Sequence, residues 1–356
     1  MALYGRLGVD SMKMRMLYRR KSKDYMLTDA EYCSPAKILH EFWKMFWFIS
    51  IEKLAKKFVT NSFVVRIYLV LRHIFSVTDD TIRKKLNKKP TLYLLEYHVA
   101  EHCNMNCKSC FHFSSLVKEE SFPDLEQYKH DIKRLSEIFN IKTIRLMGGE
   151  PLLNKELSRF IYETRKVFPK ANIHLLSNGI LYKNLEGELL TAVKSCNVTV
   201  HISLYKPMIP ERAEIAGYFA ETGIKYLISN PVLRFAKYIN PEGTSNPQKA
   251  VSQCPASRCT FLSDGHIARC PLPFNIKHFN NYFNRLINME FELIDIHAWE
   301  SDGFELKKSL TQPMESCRYC GKLEWIDWGQ ISSPEGEDID INDFCISLSA
   351  RKAHNK

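Results

Sequence analysis

The stretch Leu92-Tyr-Leu-Leu-Glu-Tyr-His-Val-Ala-Glu-His-Cys103-Asn-Met-Asn-Cys107-Lys-Ser-Cys110-Phe-His-Phe113 decides how the chain is read. Its first part, Leu92–Val99, is rich in apolar and aromatic residues and reads as a strand. The second part holds three cysteines at C-x3-C-x2-C spacing in a loop at the strand end. In barrel-like α/β folds the working residues sit in the loops after strand C-termini.

Working outward, apolar β-rich runs recur at Thr143–Leu146, Asn172–Leu176, Val198–Leu204 and Lys225–Ile228. Helical periodicity falls near 124–139, 155–168, 185–195 and 210–222. Strand–helix alternation with helix-length connections predicts a parallel sheet covered by helices. A sixth strand is expected near Leu233–Ile239. The alternation stops after about 245, where six cysteines follow among few periodic runs. Three segments are therefore expected: a basic, partly helical one over 1–90, an α/β core over 91–245 and a cysteine-rich one over 246–356.

The composition is that of a globular protein. Of 356 residues, 45% are hydrophobic and 25% charged, which excludes disorder, collagen and coiled coil. Eleven cysteines are too few for a disulfide scaffold of this length. Residues 1–90 hold 19 Lys/Arg against 8 Asp/Glu, and the other 266 hold 31 against 32. The net charge of +10 thus comes from the N-terminal quarter. Residues 36–90 place Trp43, Phe46, Trp47, Ile51, Leu54, Ala55 and Phe58 on one stripe, flanked by Lys44, Lys53, Lys56 and Lys57. That pattern suits a membrane-surface contact or a helix docked on the next domain. Residues 1–30 carry seven basic residues without an apolar run, unlike a signal peptide. Phe42–Ile51 is too short to span a bilayer, and Ser62–Val77 contains Arg66, Arg72 and His73. A cytoplasmic protein, peripheral at most to the inner face of the membrane, is expected, with reduced cysteines available as metal ligands.

Three close thiols fit a zinc site completed by His102 or His112, or a cubane iron–sulfur cluster with one iron left open. The sequence resembles the radical S-adenosylmethionine (SAM) superfamily, whose signature is this C-x3-C-x2-C after the first strand. The resemblance implies a partial (β/α)6 TIM-like barrel, with Cys103, Cys107 and Cys110 holding a 4Fe-4S cluster whose open iron chelates SAM. It implies SAM contacts from Gly148, Gly149 and Glu150 of Met-Gly-Gly-Glu-Pro, from Ser177 and Asn178 of Ser-Asn-Gly, and from Ser203. Two positions depart from the family pattern. Ser109 stands where an aromatic residue commonly contacts adenine, and Tyr205 stands where relatives with extra clusters carry Asp.

A second set runs Cys254-Pro-Ala-Ser-Arg-Cys259, Gly265, Cys270, then Cys317-Arg-Tyr-Cys320. It resembles the auxiliary-cluster domains called SPASM and twitch. The shorter twitch form implies one more 4Fe-4S cluster, held by Cys254, Cys270, Cys317 and Cys320, with Cys259 as rival to Cys254. A structural zinc site is the alternative. Cys33, Cys196 and Cys345 read as isolated buried thiols. Trp325, Asp327 and Trp328 fit either a pocket mouth or the core.

The implied function is reductive cleavage of SAM to a 5′-deoxyadenosyl radical that abstracts a substrate hydrogen. The cluster loop Cys103-Asn-Met-Asn-Cys107-Lys-Ser-Cys110-Phe-His-Phe-Ser resembles radical SAM proteins of bacterial surface-glycan pathways, which implies oxidation or epimerisation of a carbohydrate, a surface-glycan precursor, with flavodoxin or ferredoxin as electron donor. Maturation of a ribosomal peptide is the alternative within the family. A non-enzymatic metal protein binding nucleic acid through Lys13–Lys23 and Arg83–Lys89 is the alternative outside it. The aromatics there do not interleave with the basic runs, which argues against a base-stacking surface.

Overall fold

A computed structural model describes residues 78–254, 259–331 and 339–347. The chain divides into two compact units, 1–86 and 87–356. The expected basic segment before residue 78 and its apolar stripe, with Cys33, lie outside the described residues. Residues 78–85 are helical. No helix among the described residues is long and apolar enough to cross a membrane.

The second unit is an α/β fold. Its elements run β1 (Thr91–Leu92), β2 (Leu95–Ala100), α1 (Leu125–Ile138), β3 (Asn140–Ile141), β4 (Thr143–Gly148), α2 (Leu157–Val167), β5 (Asn172–Ser177), α3 (Gly187–Ser195), β6 (Thr199–Ile202), α4 (Arg212–Thr222) and β7 (Lys225–Ile228). Then follow β8 (Arg234–Ile239), α5 (Pro247–Gln253), β9 (Phe261–Ser263), β10 (His266–Ala268), α6 (Leu272–Phe283), β11 (Ile294–Asp295), α7 (Gly303–Ser309) and β12 (Cys320–Asp327). One sheet has the order β11-β10-β9-β2-β4-β5-β6-β7, in which β9, β2, β4, β5, β6 and β7 are parallel.

Alternation of side chains along each strand sorts the two faces. Tyr97 of β2 packs on Tyr128 of α1 and Phe160 of α2, with ring centroids 4.4 and 6.2 Å away. All three are fully buried, and burying such a ring contributes about 1.5–3 kcal/mol. Asp124 starts α1 by accepting the Gln127 N–H at 2.7 Å. The strand face away from the helices is polar. Glu96 of β2 pairs with Arg145 of β4 at 2.7 Å, and His174 of β5 lies 4.4 Å from His201 of β6.

The sixth strand expected at Leu233–Ile239 forms as β8 but leaves this sheet. It pairs antiparallel with β12, from Ile239↔Cys320 to Arg234↔Asp327. The sixth parallel strand is instead β9, from beyond the expected boundary at 245. Residues 246–356 therefore continue the core sheet through β9, β10 and β11. A second core, built on Phe113, Tyr238, Phe279, Met289 and Phe344, joins the cysteine loop to the C-terminal part.

Candidate functional site

The loop after β2 carries Cys103, Cys107 and Cys110 across a strained backbone. Asn106, Ser109 and Phe113 take φ of 47, 54 and 55°, a region that non-glycine residues enter only when held there. Phe113 is held by its fully buried ring, 5.4 Å from Phe279 and 6.0 Å from Phe344. Ser109 donates its hydroxyl to the Asp343 carbonyl, so the residue at the family's aromatic position is used to pin the loop.

Below the loop lies the Gly-Gly-Glu turn that ends β4. The Gly149 N–H donates to the Ala100 carbonyl at 2.8 Å and the Glu150 N–H to the His102 carbonyl at 3.0 Å. A Cβ on Gly148 would meet the Ala100 oxygen at 2.1 Å, and one on Gly149 the His102 oxygen at 2.0 Å. Both glycines let two backbones touch.

Glu150 is fully buried, and its carboxylate does not face open space. It accepts the Ser177 hydroxyl at 2.8 Å, the Asn178 N–H at 2.8 Å and the Leu152 N–H at 3.1 Å. Through these bonds Glu150 fixes the tip of β5. Burial pushes its carboxyl up to about 7, against the lowering effect of those donors. The Asn178 amide then reaches the Cys103 sulfur at 3.6 Å and Asn104 at 2.8 Å. Ser203 continues β6, its N–H on the Ser177 carbonyl at 2.9 Å and its side chain bonded to Tyr205.

His102 and His112 do not close on the thiols. His102 accepts the Ser121 N–H at 3.1 Å. His112 turns to His98 at 2.7 Å, and His98 lies 3.3 Å from Glu101, which also meets His278 at 3.1 Å. Burial raises the Glu101 pKa, but His98 and His278 outweigh it and hold the carboxyl well below its ordinary value.

Four cysteines of the second set lie together. Cys254 caps the end of α5, Cys270 follows β10, Cys317 lies in the turn Glu315–Tyr319, and Cys320 opens β12. All four line one cavity with Phe111, Tyr238 and Arg269. Cys259 does not line it. Its buried thiol sits by Glu96 and Arg145, and burial and Glu96 push its pKa up. The cavity is a neighbour of the first loop, because Phe111 follows Cys110 and its carbonyl accepts the Tyr238 hydroxyl at 3.0 Å.

The chemistry of both donor sets fits iron–sulfur clusters. None of the ten described cysteines is in a disulfide. Burial raises the Cys103 thiol to about 12, with Glu150 adding to it, and burial raises Cys107, Cys110, Cys270, Cys317 and Cys320 too. Such thiols become thiolates when a bound cation compensates them. Among the described residues, the only three His, Cys, Asp or Glu ligand atoms mutually within 4.8 Å belong to His130, Asp131 and His297. The histidine trio does not suit a shared ion: the two rings stack at 4.1 Å and 4°, so no ion can lie in both ring planes. Asp131 there binds His297 at 2.8 Å, Gln127 at 2.7 Å and the Gly265 N–H at 2.8 Å.

Several residues fall elsewhere. Cys196 is buried at the end of α3, where its carbonyl accepts two Arg165 N–H groups, and Cys345 is buried in the second core. Arg83 pairs with Asp79 at 2.8 Å and Lys89 with the Ser136 carbonyl at 2.7 Å, so two cations of the expected phosphate-binding run are engaged internally. Asp327 is exposed on β12. Trp328 lies at the first loop: its indole N–H donates to the Cys107 sulfur at 3.3 Å, and its ring stacks on Tyr205 at 5.8 Å. Sequence spacing carried no sign of that contact between residues 221 positions apart.

Parts of the chain are similar to known proteins. A family model described as a 4Fe-4S single cluster domain matches residues 95–217, which hold the first cysteine set. GTP 3′,8-cyclase from Clostridium botulinum is 29% identical over 109 residues, 30% of this chain and 34% of that protein. A 7,8-dihydro-6-hydroxymethylpterin dimethyltransferase from Methanocaldococcus jannaschii is 28% identical over 148 residues, 41% of this chain and 28% of that protein. The chain thus spans about a third of the curated relatives it matches. Among solved structures, BtrN in complex with AdoMet and 2-DOIA aligns with a TM-score of 0.41 and 23% identity, over 65% of this chain and 94% of that one. The cysteine loop after β2, the Gly-Gly-Glu turn after β4 and the second set of four cysteines carry the likeness of this chain to radical SAM proteins with a SPASM/twitch-type auxiliary region.

Proposed function

We propose that the chain is an enzyme that oxidises or epimerises a carbohydrate by abstracting one of its hydrogens. Cys103, Cys107 and Cys110 hold the first 4Fe-4S cluster, and Cys254, Cys270, Cys317 and Cys320 hold the second. When bound, the first cluster and SAM supply one electron, from a flavodoxin- or ferredoxin-like donor, and a 5′-deoxyadenosyl radical. The observation that carries this reading is the division of seven cysteines into a set of three, which leaves one iron without a protein ligand, and a set of four, which leaves none.

The chain's own work is positioning. The Gly148–Gly149 backbone seats the cluster loop, and Glu150 orients Ser177 and Asn178 beside it. The second cluster suits a substrate radical that must lose an electron, as a dehydrogenation requires.

A polyhydroxylated substrate is supported by the polar sheet face. Glu96 Oε2, Arg145 Nε, His174 Nδ1 and His201 Nε2 are buried there without a hydrogen-bond partner among the described residues. Orphaned buried polar atoms of this kind call for a ligand or water. Burial, aided by Arg145, lowers His174 to about 4; burial, His174 and Arg145 lower His201 to about 3. Both imidazoles are therefore neutral at pH 7 and able to donate and accept, as sugar hydroxyls require. His174 stands four residues before Asn178, about 13 Å along the strand.

Anaerobic reconstitution tests the reading. About eight irons per chain are expected from two 4Fe-4S clusters. With dithionite and SAM the protein should release 5′-deoxyadenosine, and Cys103→Ala should not. Perdeuterated nucleotide sugars should pass deuterium into that product. Transfer from peptides but from no sugar would overturn the carbohydrate reading.

A further inference from the structure

The segment after β12 reaches back to the first cysteine loop and grips it. The Lys108 N–H donates to the Gly329 carbonyl at 2.9 Å, and the Ile331 N–H to the Asn106 carbonyl at 2.8 Å. The Gln330 side-chain amide donates to the Met105 carbonyl at 2.9 Å. Lys108 pairs with Asp343 at 3.1 Å. Within this grip Trp328 is buried, its ring packed on Tyr205 and its backbone N–H held by the Leu233 carbonyl at 2.9 Å. Its indole N–H has one acceptor, the Cys107 sulfur at 3.3 Å.

We propose that Trp328 is a positioning residue of the first cluster: its N–H, delivered by the strand that begins at Cys320, donates to the Cys107 sulfur and raises the cluster's reduction potential. This rests on the reading of Cys103, Cys107 and Cys110 as cluster ligands.

The three sulfurs are served differently. Cys103 receives the Met105 N–H at 3.4 Å and the Asn178 amide at 3.6 Å. Cys110 receives backbone N–H groups of residues 112–115. Cys107 receives Trp328, from a distant part of the chain. An N–H dipole aimed at a cluster sulfur stabilises the added negative charge of the reduced state, and hydrogen bonds to sulfur are among the factors that set cluster potentials. Burial keeps water from screening that dipole. Because β12 runs from Cys320 to Asp327 and Trp328 follows directly, the strand that supplies an auxiliary ligand also supplies this donor. One strand thereby joins the two cysteine sets.

Trp328→Phe keeps a ring against Tyr205 and removes only the donor. The measurement is EPR-monitored potentiometry of the reconstituted full chain, with the first cluster recognised by the change in its signal on adding SAM. Iron should stay at about eight per chain, the content of two cubanes. The midpoint should move to more negative potential, so that the reduced-to-oxidised ratio at a fixed potential falls about tenfold, or about 59 mV for one electron. An unchanged midpoint at full iron content overturns the proposal. Should the variant lose iron, wild-type protein labelled with 15N at the indole nitrogen gives the answer. A 15N coupling to the reduced first cluster supports the donor, and its absence refutes it. Wild-type protein that binds no iron at the three cysteines would refute the cluster reading itself, and this inference with it.

Discussion

Gly149→Ala puts one methyl group where the structure has none to spare. The new Cβ would lie 2.0 Å from the His102 oxygen, 2.4 Å from the His102 carbonyl carbon and 2.9 Å from the Cys103 nitrogen. Those are backbone atoms of the cluster loop and cannot rotate aside. Relief requires the turn and the loop to part by about an ångström, which breaks the Gly149–Ala100 and Glu150–His102 hydrogen bonds. Two buried hydrogen bonds at about 1 kcal/mol each, plus overpacking at about 1–3 kcal/mol, give a loss of about 3–5 kcal/mol. Gly217→Ala on the exposed part of α4 is the control: its Cβ meets nothing within 4 Å, and helix propensity favours the change by about 1 kcal/mol. Urea unfolding of the metal-free proteins and iron content after reconstitution read both effects. Gly149→Ala should unfold earlier and retain about four irons, those of the auxiliary cubane. A variant as stable as the control, with full iron, would refute the claim that this glycine seats the loop.

Two further outcomes follow from the cavity and the Gly-Gly-Glu turn. Cys254→Ser should lose the auxiliary iron, whereas Cys259→Ser should keep it, because Cys259 points to Glu96 and not into the four-cysteine cavity; iron analysis showing the reverse would exchange the two ligands. Burial holds the Glu150 pKa at about 7, above its ordinary value of 4.5, so its contribution to stability is fully present below pH 4.5 and is lost as pH rises through 7. At 1.36 kcal/mol per unit the loss is about 3 kcal/mol. The urea midpoint of metal-free protein should therefore fall between pH 5 and pH 8 relative to Glu150→Gln, and parallel profiles would contradict it.

Local pattern made much of the core legible. Apolar alternation located β2, β4, β5, β6 and β7 and the helices between them to within a few residues, because each strand faces a helix on one side. The cysteine loop was legible because thiols at that spacing have few uses. Pairing between distant segments was not. Arg234–Ile239 reads as a strand, but its partner is β12, some ninety residues later, and β9, beside β2, supplies the sixth parallel strand. The bonds by which Glu150 braces the tip of β5 were not legible either, because Ser177 and Asn178 lie 27 and 28 positions away. Spacing left Cys254 and Cys259 in competition, and the end of α5 points one of them into the cavity. Trp328 had no local signature, because its acceptor belongs to a loop more than two hundred residues earlier.

The most direct test is the Mössbauer spectrum of 57Fe-reconstituted protein with and without SAM. A cubane held by Cys103, Cys107 and Cys110 has one iron without a protein ligand, and adding SAM should shift that iron's isomer shift and quadrupole splitting away from those of its three neighbours. Iron sites that all ignore SAM, or a chain that takes up zinc and no iron, would contradict the account.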